Sequence, residues 1–278
     1  MRKVLLALVM ACVVAPSFAD DVVASSSKNN SFLTGFQLGA GVSASSGLNA
    51  FVGYNNKSFD SFWWKRLGLR LDFGGTSMIK SKLNSQINKE LGQDGREIGD
   101  YLRVKDVDLK ANHFGAMIDF YPFGDTWFFG GWRLSGGYYA GKLNINAALT
   151  GKVDSLPDSE FAFELDGIKY KYSGNTMNGR ANVDWKYSGP YVGTGFDIGL
   201  FAGLKIYMDA GVVFTNKTAQ LGLDVPTDNL QQWDGTTWTT VNVAELETAK
   251  ANALADGQKE LDKIKYYPMV KLGFMYRF

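Results

Sequence analysis

The chain has 278 residues, with 29 Lys plus Arg against 28 Asp plus Glu, one His and one Cys. A net charge of +1 offers no basic surplus for a nucleic-acid partner, and one His with one Cys nearly excludes zinc sites, Cys–His nucleophiles and disulfide frameworks. With 32 Gly, 6 Pro and 14% aromatic residues it is neither disordered nor collagen-like, and it reads as β-rich with many aromatic surface positions.

Residues 1–19 are expected to be an export signal, followed by a single domain over 20–278. Arg2 and Lys3 make a basic start, and Val4 to Ala15 is an apolar run too short to span a bilayer. Ser17-Phe18-Ala19 then puts small residues at the two positions a signal peptidase reads. Cleavage there would remove Cys12, the only cysteine. A competing reading makes Cys12 the acylated residue of a lipoprotein box, but the apolar run continues past it through Val13, Val14 and Ala15.

Beyond the signal the recurring pattern is alternation with period 2, the signature of a half-buried strand and, repeated, of a membrane barrel. Strands are expected near 33–43, 47–55, 66–75, 110–121, 131–145, 179–197, 203–217 and 265–278. In 67–73 the odd positions are apolar while Arg70 and Asp72 share the other face. Phe114, Ala116, Ile118 and Phe120 alternate with Asp119 and its neighbours. Ile206, Met208, Ala210, Val212 and Phe214 oppose Lys205, Tyr207 and Asp209, and Val270, Leu272, Phe274, Tyr276 and Phe278 oppose Lys271, Gly273 and Arg277. A soluble sandwich would carry the same pattern with its apolar face inward. The export signal favours a barrel, as do aromatic residues crowding strand ends (Trp63, Trp64, Trp127, Phe128, Phe129, Trp132, Tyr266, Tyr267). Gly39, Gly41, Gly68, Gly137, Gly193, Gly195, Gly211 and Gly273 fall on inward positions, where they would make room for large neighbours. The connections alternate short and long, as expected for an all-β, eight-stranded antiparallel transmembrane β-barrel with both termini on the periplasmic side and long, partly helical extracellular loops.

Those loops carry their own patterns. Ile79, Leu83, Ile87 and Leu91 predict a short amphipathic helix between Ser77 and Gly92, and Asn242 is placed to cap a longer one through Leu246, Leu254, Leu261 and Ile264. Lys169 to Ser173, preceded by Asp166-Gly167, reads as a hairpin. Such elements suit either a cap packed on the rim or a lid over a pore.

Several landmarks resemble a family of small proteobacterial outer-membrane proteins that includes the CarO-type group. They are Asp119-Phe120-Tyr121-Pro122-Phe123-Gly124 followed by Trp132-Arg133-Leu134-Ser135-Gly136-Gly137, then Asp166-Gly167-Ile168-Lys169-Tyr170, Gly189-Pro190-Tyr191-Val192-Gly193-Thr194-Gly195-Phe196, and Tyr267-Pro268-Met269-Val270-Lys271-Leu272-Gly273. The resemblance covers 107–278 well and 35–75 by pattern. It implies an eight-stranded barrel associated with uptake of small amphipathic solutes such as ornithine and other amino acids, and it offers no catalytic motif.

The lumen carries the chemistry relevant to transport. Arg66, Arg70, Arg133, Lys205, Lys271 and Arg277 are expected inside against Asp72, Asp119 and Asp209, with Asp119–Arg133 and Asp209–Lys205 or Asp209–Lys271 as pairs. Strict pairing would make a plug, and a basic excess would favour an anion-friendly path. The expected function is a narrow passive channel for small amphipathic solutes in the outer membrane of a Gram-negative cell; the alternative is a non-conducting barrel acting through its outer loops. Phe274, Tyr276 and Phe278 are the expected assembly signal. Expected partners are outer-membrane lipid and lipopolysaccharide, the outer-membrane assembly machinery and a small solute, with the chain a monomer. No enzyme activity, cofactor or metal is expected; His113, the only imidazole, is read as a rim residue, with Asp106 and Asp108 near it.

Overall fold

The computed structural model describes residues 34–58, 60–92, 96–98, 102–124, 129–151, 162–173 and 179–278. The expected signal segment, Trp127 and Phe128 lie outside them. Eight strands close a barrel: β1 (Phe36–Ser43), β2 (Gly47–Tyr54), β3 (Leu67–Gly75), β5 (Leu102–Phe120), β6 (Trp132–Gly151), β9 (Arg180–Phe201), β10 (Leu204–Phe214) and β14 (Tyr266–Arg277). Each pairs antiparallel with the next, and β14 closes on β1 from Gln37↔Arg277 to Ser43↔Lys271. No strand edge of the ring is left open, which removes the unpaired backbone that lipid would not solvate.

The barrel is apolar on the outside. Leu69, Phe73, Phe114, Ile118, Leu134, Val192, Met208, Phe214, Val270, Leu272 and Phe274 all point outward, with Ile118 57% and Val192 61% exposed. Their alternating partners Arg70, Asp72, Asp119, Arg133, Asp209 and Lys271 are buried. This is the inverse of a soluble sandwich. Tyr267, expected at the outer girdle, instead turns inward and stacks on Tyr187 at 4.0 Å between ring centroids.

Three strands are far longer than the ~9–11 residues that cross a bilayer: β5 has 19, β6 has 20 and β9 has 22. Their continuations form a stalk, extended by β4 (Arg96–Ile98) along β5 and β11 (Gln220–Asp224) along β9. Beside it lies a second sheet of β7 (Ala162–Leu165), β8 (Ile168–Tyr172), β12 (Leu230–Trp233) and β13 (Trp238–Thr240), in the order β13-β12-β8-β7. Asp166 and Gly167, both at positive φ (52° and 79°), make the tight β7–β8 turn that an Asp-Gly pair favours.

Two helices complete the cap. Lys80–Leu91 packs Leu83, Ile87 and Leu91 against β5 and the cap core, the face its spacing predicts. Val243–Leu261 begins at Asn242, whose side chain accepts from the N–H groups of Ala244 and Glu245. The cap core joins Val104, Val107, Leu109, Ile145, Leu149, Phe163, Tyr170, Leu230 and Leu246. The long connections at this end of the barrel therefore form a second folded body.

Candidate functional site: the barrel lumen

The lumen is built by residues that alternate with the outward apolar belt. Arg70 and Asp72 come from β3, Asp119 from β5, Arg133 and Ser135 from β6, Asp197 from β9, Asp209 from β10 and Lys271 from β14; all are buried. In a ring of eight, β3 and β10 stand opposite one another. Arg70 Nη1 spans that diameter to donate to Asp209 Oδ2 at 2.6 Å, while its Nε lies 3.1 Å from Asp119. Arg133 donates through Nη2 to the other Asp209 oxygen at 2.6 Å and through Nη1 to Asp197. Ser135 Oγ donates to Asp119 at 2.5 Å. Two planar forks thus hold three carboxylates, a geometry suited to guanidinium and not to ammonium.

A second group lies beside it. Lys271 pairs with Asp72 and also donates to Tyr139 Oη at 2.7 Å. Tyr139 Oη in turn donates to Asp72 Oδ2 at 2.5 Å. Asn49 donates to the other Asp72 oxygen at 3.3 Å and accepts from Tyr207 Oη at 3.1 Å. Asp72 therefore serves partners from β2, β6 and β14, so that its charge is well compensated away from water.

Aromatic rings fill the remaining space, and inward glycines receive them. A Cβ on Gly39 would strike Phe51, on Gly41 or Gly273 Tyr207, on Gly115 Tyr139, and on Gly193 or Gly211 Tyr191. Large side chains lie over the bare backbone of these glycines, on their own strand or on another, which is how an eight-stranded interior packs. Towards the cap, Tyr187, Trp185 and Tyr267 continue the filling up to Leu261.

Several sequence expectations need correction. Asp119 and Arg133 stand 4.0 Å apart, and the tighter partner of Asp119 is Arg70 at 3.1 Å. Asp209 bonds Arg70 and Arg133, not Lys205 or Lys271. Lys271 is the register neighbour of Asp209, yet its flexible stem carries the amine to Asp72. Arg66 leaves the lumen: its guanidinium donates to the Pro122 and Phe62 carbonyls and lies 3.9 Å over the Phe62 ring. Lys205 is half-buried at the end of the barrel opposite the cap, with no ion-pair partner among the described residues. Arg277 sits 5.7 Å over Tyr121, and with the Gln37 amide oxygen turned towards it donates at 3.0 and 2.6 Å.

Asp197 is the residue sequence reasoning missed, although Gly189, Tyr191, Gly193 and Gly195 set its parity. With it, the buried lumen holds Arg70, Arg133 and Lys271 against Asp72, Asp119, Asp197 and Asp209. The expected basic excess vanishes at mid-barrel and survives only at the mouth, in Lys205 and Arg277. His113 is not a rim residue: its side chain is buried, with Nε2 3.4 Å from Asp72. Asp108 points elsewhere, to Lys80 at 3.0 Å and Asn84 at 2.7 Å, so no triad forms between it and His113.

No protein-family model and no curated protein matches this chain. Among solved structures, Acinetobacter baumannii CarO superposes on 90% of the chain and 100% of its own length, at a TM-score of 0.53 and 13% identity. The fold is that of the CarO barrel. A. baumannii CarO2 agrees, with 87% of this chain and 98% of that one covered, a TM-score of 0.51 and 15% identity. At such identities CarO shares the architecture; the lumen chemistry must be read from the residues of this chain.

Proposed function

We propose that this protein sits in the outer membrane through its outward apolar belt, that its lumen is closed at rest, and that it acts at the cell surface through the folded cap. The Arg70–Asp209 pair carries this reading. It crosses the full diameter of the narrowest class of barrel at 2.6 Å, and both residues are buried and held by further partners. A solute moving along the axis would have to break it and leave charges unpaired in a low-dielectric interior.

A second reading keeps the passive channel for small amphipathic solutes such as amino acids. The observation in its favour is Lys205, a lumen-facing amine at the periplasmic end without an ion-pair partner among the described residues, suited to a solute carboxylate. Planar-bilayer recording of the purified protein separates the two. The closed reading expects no unitary conductance from wild type. Steady conductance that falls on Lys205→Gln would replace it with the channel.

A further inference from the structure

The outer wall carries a feature that neither the lumen nor the cap core uses. Lys142 on β6 and Lys186 on β9 are directly opposed in register, and both point outward. Lys110 on β5 is diagonal to Lys142 and two strands from Lys186, since Lys110 pairs with Asn144 and Lys142 with Asn112. Opposed residues place their Cβ atoms ~5 Å apart and diagonal ones ~7–8 Å, so three amines reach one patch. Like charges directly opposed destabilise a sheet.

The local carboxylates offset this only in part. Asp184 takes Lys142 at 3.1 Å. Asp108 lies 4.0 Å from Lys110 but is already held by Lys80 at 3.0 Å. Lys186 has no ion pair among the described residues.

The height of the patch is informative. Along β6 the outward positions run Trp132, Leu134, Gly136, Tyr138, Ala140, Lys142. From Trp132 to Lys142 is ten residues, which at ~3.3 Å each and a tilt of ~40° gives about 25 Å, the height of the apolar band of an outer-membrane barrel. On β9 the same order appears as Phe196, Thr194, Val192, Pro190, Ser188, Lys186, and on β5 as Ile118, Ala116, Phe114, Asn112, Lys110. All three strands change from apolar through small or polar residues to lysine at nearly the same height on the wall.

We propose that Lys110, Lys142 and Lys186 form a docking site for the phosphates of an anionic lipid in the outer leaflet, its acyl chains lying on Phe114, Tyr138 and Val192. The site rests on the membrane placement proposed above. A phosphate between Lys142 and Lys186 turns a repulsive cross-strand pair into two charge-assisted hydrogen bonds. The lipid therefore stabilises the wall on the side where the strands continue into the cap.

The test uses the full-length protein in detergent micelles, with bound lipid counted by native mass spectrometry. The probes are bisphosphorylated lipid A, the same lipid dephosphorylated, and inorganic pyrophosphate. Wild type is expected to retain bisphosphorylated lipid A, and Lys142→Gln with Lys186→Gln to weaken retention roughly tenfold or more, since each basic residue near a charged lipid surface contributes on that scale. Lys259→Gln, on the distant cap helix, is expected to change nothing. Equal retention by the double variant, or equal binding of dephosphorylated lipid by wild type, overturns the site. Pyrophosphate binding as strong as lipid A overturns the lipid assignment in favour of free phosphate. Co-flotation with outer-membrane vesicles reads the membrane placement separately, so its failure is distinguishable from failure of the site.

Discussion

Arg70 and Asp209 stand on opposite walls of an eight-stranded ring and meet at 2.6 Å across its centre. Asp209 is also held by Arg133, so one carboxylate joins β3, β6 and β10. Removing its charge leaves two buried guanidiniums short of a partner. Asp209→Asn is expected to destabilise the barrel on the order of 3 kcal/mol, read as a lower temperature for loss of the heat-modifiable band. Asp184→Asn removes a comparable ion pair on the outer wall and is expected to cost under ~1 kcal/mol.

The pairing of inward glycines with rings gives a second outcome. Gly211→Ala drives a methyl into the Tyr191 ring and is expected to cost ~1–3 kcal/mol through overpacking. Tyr191→Ala should relieve that cost, so the double variant loses less than the sum of the single ones. Gly136→Ala, facing open space, is expected to be silent. Strict additivity between Gly211 and Tyr191 would contradict the packing described.

The closing strand carries its terminal aromatic outward. Phe278 is 46% exposed, lies 4.8 Å from the Tyr276 ring, and exchanges backbone hydrogen bonds with Gly35 and Phe36. Phe278→Asp is expected to reduce membrane-inserted, heat-modifiable protein. Unchanged insertion would remove Phe278 from the expected assembly signal.

Sidedness is open to a cysteine test, because the only native cysteine is Cys12 within the expected signal. Lys259→Cys, on the cap helix, should react with a membrane-impermeant maleimide on intact cells. Asp60→Cys, between β2 and β3, should react only after the outer membrane is permeabilised. The reverse pattern would invert the topology.

Asn88 supports the last expectation. The β5–β6 ladder skips between Lys105 and Asp108, with Asp106 at a φ of 50°. Asn88 satisfies the backbone there: its Oδ1 accepts from the Val107 N–H at 2.7 Å and its Nδ2 donates to the Val107 carbonyl at 3.3 Å. Asn88→Ala should leave both groups short of partners, raising amide exchange at Val107 while Leu109, whose N–H donates to Asn84, and the lumen strands keep their protection. Uniform exchange changes throughout the protein would refute so local a role.

The same bulge explains why one part of the fold was hard to read in the sequence. Val104 faces the cap core, and so do Val107, Leu109 and Ala111, so the inward parity changes from even to odd across the extra residue. Period-2 reading therefore ends the strand near residue 110, whereas β5 runs from Leu102. Where no bulge intervenes, as in β3 and β14, strand and facing were both legible. The Asn242 cap and the Asp166-Gly167 turn were legible because their causes are local. Ion-pair partners were not, because strand parity says which residues point inward and nothing about which wall each will reach. Asp197 is different: its inward position follows from the parity of Tyr191, Gly193 and Gly195.

The β1–β14 seam also imposes an order in time. Phe36–Ser43 finds its second neighbour only in Tyr266–Arg277, almost the whole sequence later. Until that strand is made, β1 has an unpaired edge, and Lys271 has not arrived to neutralise Asp72. Closure is thus a contact of extreme sequence separation, the slowest kind to form. The edge of β1 must therefore stay unpaired until Tyr266–Arg277 is available, and the ring cannot shut before its last strand exists.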